Sequence, residues 1–284
     1  SCCVNFPSMD YNMINLSGVW SRERRVITRH LAHGIQSVAS KRGSSSHNHN
    51  PFVALVDDKG GEDFGDAFGF NLVYSGNFSA DIETDYLDCT RLVMGINPID
   101  FTWVVEPGDE FQSPEVVMVY SDSGMGKMSR TFHDLYNNNL IRGEWKNKKR
   151  PLLINSWEGS GFDFDRETLV RYAKEAKKLG IELLVMDDGW FGHRDSDNSS
   201  LGDWFVNESK LKGGLTKLIE RVNAEGVQFG IWYEPEMISE DSELYKAHPD
   251  WCVHVEGREQ SPARQQYVID MTRQDVRDCI FNQM

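Results

Sequence analysis

Apolar positions follow different rhythms before and after residue 150. Before it, short apolar runs alternate with turn signals such as DDKGGED, NPID and EPGDE. Short strands at a spacing of roughly 8–12 residues are typical of an antiparallel β sandwich or barrel. We therefore expect a β domain, a helix leading out of it and a linker that ends at Pro151. The expected strands cover 51–56, 70–74, 91–96, 101–105 and 116–120, the helix 130–140 and the linker 142–150.

After Pro151, apolar strands alternate with amphipathic helices. The first helix is expected to begin after Asp165, an N-cap residue, and to end at Gly180. Its apolar face contains Leu169, Val170, Ala173, Ala176 and Leu179. A second helix carries Leu215, Leu218, Ile219 and Val222 and ends at Gly226. This alternation predicts parallel βα units with strands covered on both faces. The expected strands are 152–155, 181–186, 227–232 and 267–269.

Polar and aromatic residues follow each of these predicted strands. In a (β/α)₈ barrel, the carboxyl ends of the strands form the active-site face. They are Trp157, Glu158, Asp187, Asp188, Trp190, Trp232, Glu234, Glu236 and Asp270. A whole barrel takes about 250 residues, and about half that number follow Arg150. We therefore expect the first half of a barrel, about four βα units, within a longer polypeptide. A small open α/β sheet is the alternative.

Charge and composition narrow the function classes. The chain carries 44 Asp and Glu against 30 Lys and Arg, a net charge of −14, which argues against broad nucleic-acid binding. No apolar run approaches the roughly 18 residues of a membrane span, and no secretory signal is visible at the start. The five cysteines form no C-x-x-C motif, so neither a disulfide framework nor a zinc ribbon is indicated. We expect reduced thiols and a cytoplasmic location.

Tryptophans and carboxylates at one rim suit a carbohydrate ligand, because indoles stack on sugar faces and carboxylates accept hydrogen bonds from hydroxyls. Glycoside hydrolysis uses two carboxyl groups, and spacing alone nominates Asp187, Asp188, Glu234 or Asp270. The alternative for any single acid is helix capping or a salt bridge. The pair His47 and His49 and the acidic loop 57–66 are expected to be structural, so we expect no metal and no cofactor.

Ten segments in this order give the chain a specific resemblance, and they span nearly its whole length. They are LSGVWSRER (16–24), GSSSHNHNPF (43–52), FNLVYSGNF (70–78), GINPIDFTW (95–103), PLLINSWEG (151–159), VMDDGWFG (185–192), LGDW (201–204), FGIWYEPEM (229–237), HPDW (248–251) and RQQYVIDMT (264–272). In these segments the chain resembles glycoside hydrolase family 36, the bacterial α-galactosidase type.

The resemblance implies an N-terminal β-supersandwich over 1–145, truncated at its start, followed by the first half of a (β/α)₈ TIM barrel over 146–284. It implies a metal-free, retaining hydrolase that releases terminal α-galactose from melibiose and raffinose, and it suggests a homo-tetramer. In such enzymes one aspartate attacks the anomeric carbon and a second acts as acid and base. Both are expected beyond Met284, so the chain alone is expected to be inactive.

The same resemblance assigns substrate-binding roles and overrules the nominations made from spacing. Asp187 and Asp188 are expected to bind galactose hydroxyls, with Trp157 and Trp232 as pocket walls. Arg264 resembles a substrate-contacting arginine, and Trp20 a tryptophan that extends over the barrel mouth. Two alternatives stay open at this point: a galactoside-binding fragment without chemistry, and an α-N-acetylgalactosaminidase.

Overall fold

Nine strands precede the first helix in the computed structural model, which describes residues 1–284. They form two antiparallel sheets, of order β1-β8-β7-β4 and β3-β2-β5-β6-β9. The chain divides into two compact units, Ser1–Asn147 (unit 1) and Lys148–Met284 (unit 2). The strands of unit 1 are β1 (Cys2–Phe6), β2 (Tyr11–Val19), β3 (Arg22–His30), β4 (Gly34–Ala39), β5 (His49–Asp57), β6 (Ala67–Leu72), β7 (Phe78–Thr84), β8 (Thr90–Ile96) and β9 (Val116–Ser121).

Alternating side chains of both sheets form one apolar core in unit 1. In β7, Phe78, Ala80 and Ile82 point inward and are almost fully buried, as the period of two in a strand requires. The outer face of the five-stranded sheet is covered by α1 (Gly124–Leu135). At Gly69 of β6 an added Cβ would lie 2.5 Å from the ring of Phe132, so this glycine permits the close approach of the helix.

Two predictions for unit 1 differ from the structure. The run 101–105 forms no strand; it follows a bend at Asp100, whose φ is 55°, and its side chains are largely exposed. The preceding strand β8 already pairs on both sides, with β1 and β7, so the run that follows it cannot pair with β8 as a hairpin partner. The helix expected over 130–140 begins at Gly124 and ends in a π-helical turn, Tyr136–Leu140.

The early start of α1 has a tertiary cause. The first backbone N–H groups of the helix, from Gly124, Met125 and Gly126, donate to the carbonyls of Gly65, Gly61 and Glu62. These bonds satisfy the donors that every helix N-terminus leaves open, and the N-cap residue Ser123 makes no side-chain cap hydrogen bond.

Unit 2 contains a parallel sheet of three strands, in the order β10-β11-β12. The strand expected over 267–269 does not join it. That segment is β14, which pairs antiparallel with β13, a two-residue strand that the sequence analysis missed. An apolar run does not specify its partner, and the number of parallel strands is therefore three and not four. The elements are β10 (Leu153–Asn155), α2 (Trp157–Ser160), α3 (Arg166–Lys178), β11 (Leu183–Met186), α4 (Gly214–Ala224), β12 (Gln228–Ile231), β13 (Met237–Ile238), α5 (Glu243–Ala247), β14 (Tyr267–Val268) and α6 (Gln274–Gln283).

None of the helices is long and apolar enough to cross a membrane. Helix α3 begins where the sequence predicts. The carboxylate of Asp165 accepts a hydrogen bond of 2.8 Å from the backbone N–H of Thr168. Leu169, Val170, Ala173 and Ala176 are buried as expected. Leu179 is not: it is 76% exposed, because it lies at the C-cap, where the chain has already left the helical path.

Replacing Asp165 by Ala is expected to destabilise unit 2 by about 1 kcal/mol at neutral pH. The hydrogen bond from Thr168 lowers the pKa of the Asp165 carboxyl below its usual value. Its contribution is therefore complete above the unfolded-state pKa, near 4, and is lost as the pH falls through the folded-state value. Urea unfolding at neutral pH and at about pH 3 measures this. Asp165→Ser, which caps without titrating, is the control; a gap between Asp165→Ala and wild type that does not narrow in acid would contradict the assignment.

Candidate functional site

The ends of the three parallel strands place several predicted residues at one edge of the sheet. Asn155 is opposite Val185, and Met186 is opposite Ile231. The residues that follow continue the ladder: the N–H of Ser156 donates to Val185 (3.0 Å), and that of Trp232 to Met186 (2.9 Å). Trp157, Asp187 and Trp232 therefore all lie at the carboxyl edge of the sheet, where ligands bind in parallel α/β folds.

Asp187 is a half-buried carboxylate held by its neighbours. The side-chain amide of Asn155 donates to Oδ2 (2.5 Å), and the backbone N–H of Asp188 donates to Oδ1 (2.8 Å). The Oδ1 atom of Asn155 accepts from the N–H of Trp157 (2.7 Å). Asn155 thus connects the carboxylate to the tryptophan across two strands. The sequence analysis missed this residue; its signal is a polar side chain at the last position of an apolar strand.

Asp188 lies in a different environment from Asp187. It is 5% exposed, and Arg194, which has no exposed surface, binds both of its oxygens. The Nε–Oδ1 distance is 2.9 Å and the Nη2–Oδ2 distance is 2.7 Å. A paired contact of this kind is strong and fixes geometry. Each carboxylate oxygen has two lone pairs, so Asp188 retains capacity for a further donor, and its sugar-binding role stays a prediction.

A buried aromatic cluster lies behind Trp232. The indole N–H of Trp190 donates to the carbonyl of Trp232 (3.0 Å). The ring of Trp204 lies 6.3 Å from that of Trp232 and 6.1 Å from that of Trp190, measured between centroids. Trp190 and Trp204 are buried, whereas Trp232 is half-buried. The exposed part of Trp232 is thus a rigid apolar surface of the type that stacks on sugar rings.

Arg264 lies between two carboxylates and is 60% exposed through its side chain. Its Nη2 is 2.9 Å from Oδ1 of Asp197, and its Nη1 is 4.0 Å from Oε1 of Glu234. Burial raises the pKa of the Glu234 carboxyl above its usual value; Arg264 opposes this shift and Glu236 adds to it. A guanidinium has five N–H donors, so Arg264 retains donors beyond the one that binds Asp197.

The last two predicted site residues are Asp270 and Trp20. Asp270 accepts hydrogen bonds from the N–H and hydroxyl of Thr272, which lower the pKa of its carboxyl. These bonds close a local turn ahead of α6, whose N-cap residue is Arg273 and not Asp270. Trp20 lies in unit 1, in the turn between β2 and β3, and is 81% exposed; its predicted contact with a sugar stays a prediction. No group of three or more His, Cys, Asp or Glu side chains is arranged to hold a metal ion.

Comparison with known proteins gives matches along the whole chain. The model of the glycosyl hydrolase family 36 N-terminal domain matches residues 1–106, and the melibiase model matches residues 110–284. Alpha-galactosidase AgaA of Geobacillus stearothermophilus is 54% identical over 99% of this chain, and alpha-galactosidase Mel36A of Lactobacillus acidophilus is 48% identical over 99%. The chain spans 38% of the length of each of these relatives.

Solved structures of similar proteins have the same fold as this chain. The crystal structure of the alpha-galactosidase AgaB from Geobacillus stearothermophilus superposes with a TM-score of 0.97 at 53% identity, over 99% of this chain and 39% of its own. A variant of AgaA crystallised in complex with stachyose gives a TM-score of 0.96 at 53% identity, with the same shares of the two chains. An alpha-galactosidase from Thermus thermophilus, 17% identical with a TM-score of 0.62, shares the fold.

Proposed function

Because the chain belongs to glycosyl hydrolase family 36, we propose that it is part of an α-galactosidase that cleaves terminal α-galactose from oligosaccharides such as melibiose and raffinose. The division into a β-supersandwich over 1–145 and a half-barrel over 146–284 is part of this proposal. The observation that carries it is the shared strand edge of unit 2, where a fixed carboxylate, Asp187, lies with two tryptophans, Trp157 and Trp232.

Each of these residues has a chemical task in the proposed reaction. Asp187 accepts hydrogen bonds from two neighbouring hydroxyls of galactose, and Asn155 keeps its carboxylate in place. Trp157 and Trp232 pack on the apolar faces of the sugar and exclude water from it. Arg264 donates to a sugar oxygen. These contacts orient the anomeric carbon, and orientation alone lowers the barrier of a displacement substantially.

The chemical step is supplied by aspartates that, by family resemblance, lie outside these 284 residues. One attacks the anomeric carbon and forms a covalent galactosyl ester while the other protonates the departing oxygen; water then cleaves the ester with the second aspartate as base. The anomeric configuration is therefore retained. On this proposal the chain by itself binds galactose and hydrolyses nothing.

A hybrid enzyme tests the proposal. The segment of the Geobacillus stearothermophilus AgaA that aligns with this chain is replaced by residues 1–284, and hydrolysis of p-nitrophenyl α-galactoside is measured. We expect turnover by the hybrid and none by the chain alone. Asp187→Asn in the hybrid is expected to lower kcat/KM about 10–100-fold, the loss typical of hydrogen bonds to a charged group.

The control is Glu220→Gln, an exposed carboxylate on α4, which is expected to leave kcat/KM unchanged. A soluble, folded hybrid without turnover would refute the proposal and favour a galactoside-binding role, provided that galactose still binds to it. Faster hydrolysis of the α-N-acetylgalactosaminide than of the α-galactoside would favour the second alternative.

We also propose a cytoplasmic homo-oligomer, a tetramer by family resemblance. All five cysteines are free, and the thiol of Cys252 is buried, which raises its pKa to about 11. Free thiols suit a reducing compartment. Light scattering of the hybrid after size exclusion measures the subunit number, and a monomer would contradict the assembly part of the proposal.

A further inference from the structure

We propose that Asp197 and Gln266 are positioning residues that hold Arg264 toward the sugar. The inference rests on the proposed function, because only that function gives Arg264 a ligand to contact. Neither residue belongs to the strand-end set that the sequence analysis singled out.

Arg264 lies in a backbone conformation that needs support. Ala263 and Gln266 exchange two backbone hydrogen bonds of 2.9 Å, so Arg264 and Gln265 are the central residues of a two-residue hairpin turn. Both have left-handed φ angles, 53° and 59°. Turns of this type favour Asn and Gly at these positions, because a side chain there is strained. Strained residues of this kind persist only where the surroundings determine their conformation, and they cluster at functional sites.

Asp197 accepts hydrogen bonds both from the turn residue Gln266 and from Arg264. Gln266, fully buried, donates through Nε2 to the backbone carbonyl of Asp197 (2.9 Å). The carboxylate of Asp197 accepts from Nη2 of Arg264 (2.9 Å). The first bond fixes the end of the turn, and the second selects the direction of a long, exposed side chain. An exposed ion pair by itself orders little, so the buried amide of Gln266 is the main support.

The carbonyl of Asp197 is itself fixed from the sheet. Nη1 of Arg194 donates to it (2.9 Å) and to the carbonyl of Ser199 (3.0 Å). The other side of the same guanidinium binds Asp188 at the end of β11. A continuous series of bonds therefore runs from the strand that carries Asp187 to the turn that carries Arg264. These bonds fix the position of Arg264 relative to the carboxylate of Asp187.

The first test uses the 284-residue chain and needs no sugar. Backbone hydrogen exchange is compared for wild type, Gln266→Ala, Asp197→Asn and Asp195→Asn. Gln266→Ala removes one buried hydrogen bond and is expected to speed exchange of amides in 262–268 about five- to tenfold. Amides of β11 should be unchanged, which separates opening of the turn from unfolding of unit 2. Asp197→Asn keeps the carbonyl and should alter 262–268 less.

Asp195→Asn is the matched control, because Asp195 lies on the same loop and pairs with Lys210 at 2.7 Å instead of Arg264. It is expected to leave 262–268 unchanged. The inference is overturned if Gln266→Ala leaves exchange in 262–268 at the wild-type rate. It is overturned equally if the variant speeds exchange in β11 and in 262–268 alike. Gln266→Met, which keeps the length of the side chain and removes the donor without burying a charge, gives a second reading if the alanine variant does not fold.

The second test uses the hybrid and asks whether Asp197 acts through Arg264. Asp197→Asn is expected to raise KM about two- to fivefold with kcat nearly unchanged, as the loss of an exposed ion pair allows, and Asp197→Glu to restore part of the loss. In an Arg264→Ala background the same change should have no further effect, whereas a merely structural role would add to it. Additive effects would overturn the inference. An inactive hybrid would refute the proposed function and leave the exchange experiment to decide on positioning.

Discussion

Replacing Arg194 by Met is expected to destabilise unit 2 by about 3–5 kcal/mol, the cost of leaving one partner of a buried ion pair uncompensated. Arg194 has no exposed surface and Asp188 has 5%. Without the guanidinium, the carboxylate of Asp188 and the carbonyl of Ser199 lose their donors inside the protein, and the carbonyl of Asp197 keeps only Nε2 of Gln266. Urea unfolding followed by tryptophan fluorescence reports on unit 2, because it contains the buried residues Trp190 and Trp204.

Two variants make the result for Arg194 specific. Lys178→Met breaks an exposed pair with Glu175 and is expected to cost less than about 1 kcal/mol. The double variant Arg194→Met with Asp188→Leu removes both charges and should be more stable than Arg194→Met alone. If Arg194→Met unfolds at the same urea concentration as Lys178→Met, the buried pair does not stabilise this loop.

Replacing Trp190 by Ala is expected to cost about 3–5 kcal/mol, as deletion of a large buried ring does elsewhere. The ring packs against Phe191, Trp204 and Tyr233 at centroid distances of 5.2, 6.1 and 5.3 Å. Its N–H also holds the carbonyl of Trp232. We therefore expect a lower urea midpoint together with weaker galactose binding by the folded fraction, measured by isothermal titration below the unfolding midpoint.

The variant Trp190→Phe separates the two effects, since it keeps most of the packing and removes the hydrogen bond to Trp232. It should lose less stability than Trp190→Ala. Phe281→Ala on α6, whose ring is 80% exposed, is the control for removal of an exposed aromatic ring and should change the free energy of unfolding by less than about 0.5 kcal/mol. Equal losses for the Ala variants at 190 and 281 would contradict a supporting role for the aromatic cluster.

Local patterns predicted much of the fold because they reflect local physics. Continuous apolar runs located β10, β11 and β12, and Asp165 marked the start of α3 through its own hydrogen bond. The failures are of another kind. The run 101–105 has the composition of a strand but follows β8, which is already paired on both sides, and β14 pairs with a two-residue strand that has no signature of its own. Pairing partners are a property of the folded chain.

The candidate site was predicted in part, for a similar reason. Strand ends identified Asp187, Trp157 and Trp232, because residues after parallel strands converge at one edge. Asp187 and Asp188 had the same predicted role, and the difference between their surroundings depends on Arg194, which lies six residues after Asp188 and pairs with it. Asn155, Asp197 and Gln266 were missed because each acts through a hydrogen bond to a residue distant in the chain.

The separate roles of the carbonyl and the carboxylate of Asp197 have a consequence for changing the sugar specificity of the hybrid enzyme. Its carbonyl oxygen supports the turn, and every residue type offers the same oxygen at that position. Its carboxylate accepts the hydrogen bond from Arg264. A library at position 197 would therefore vary the aim of the arginine while the frame beneath it stays intact, which makes this position a favourable starting point for directed evolution toward other sugars.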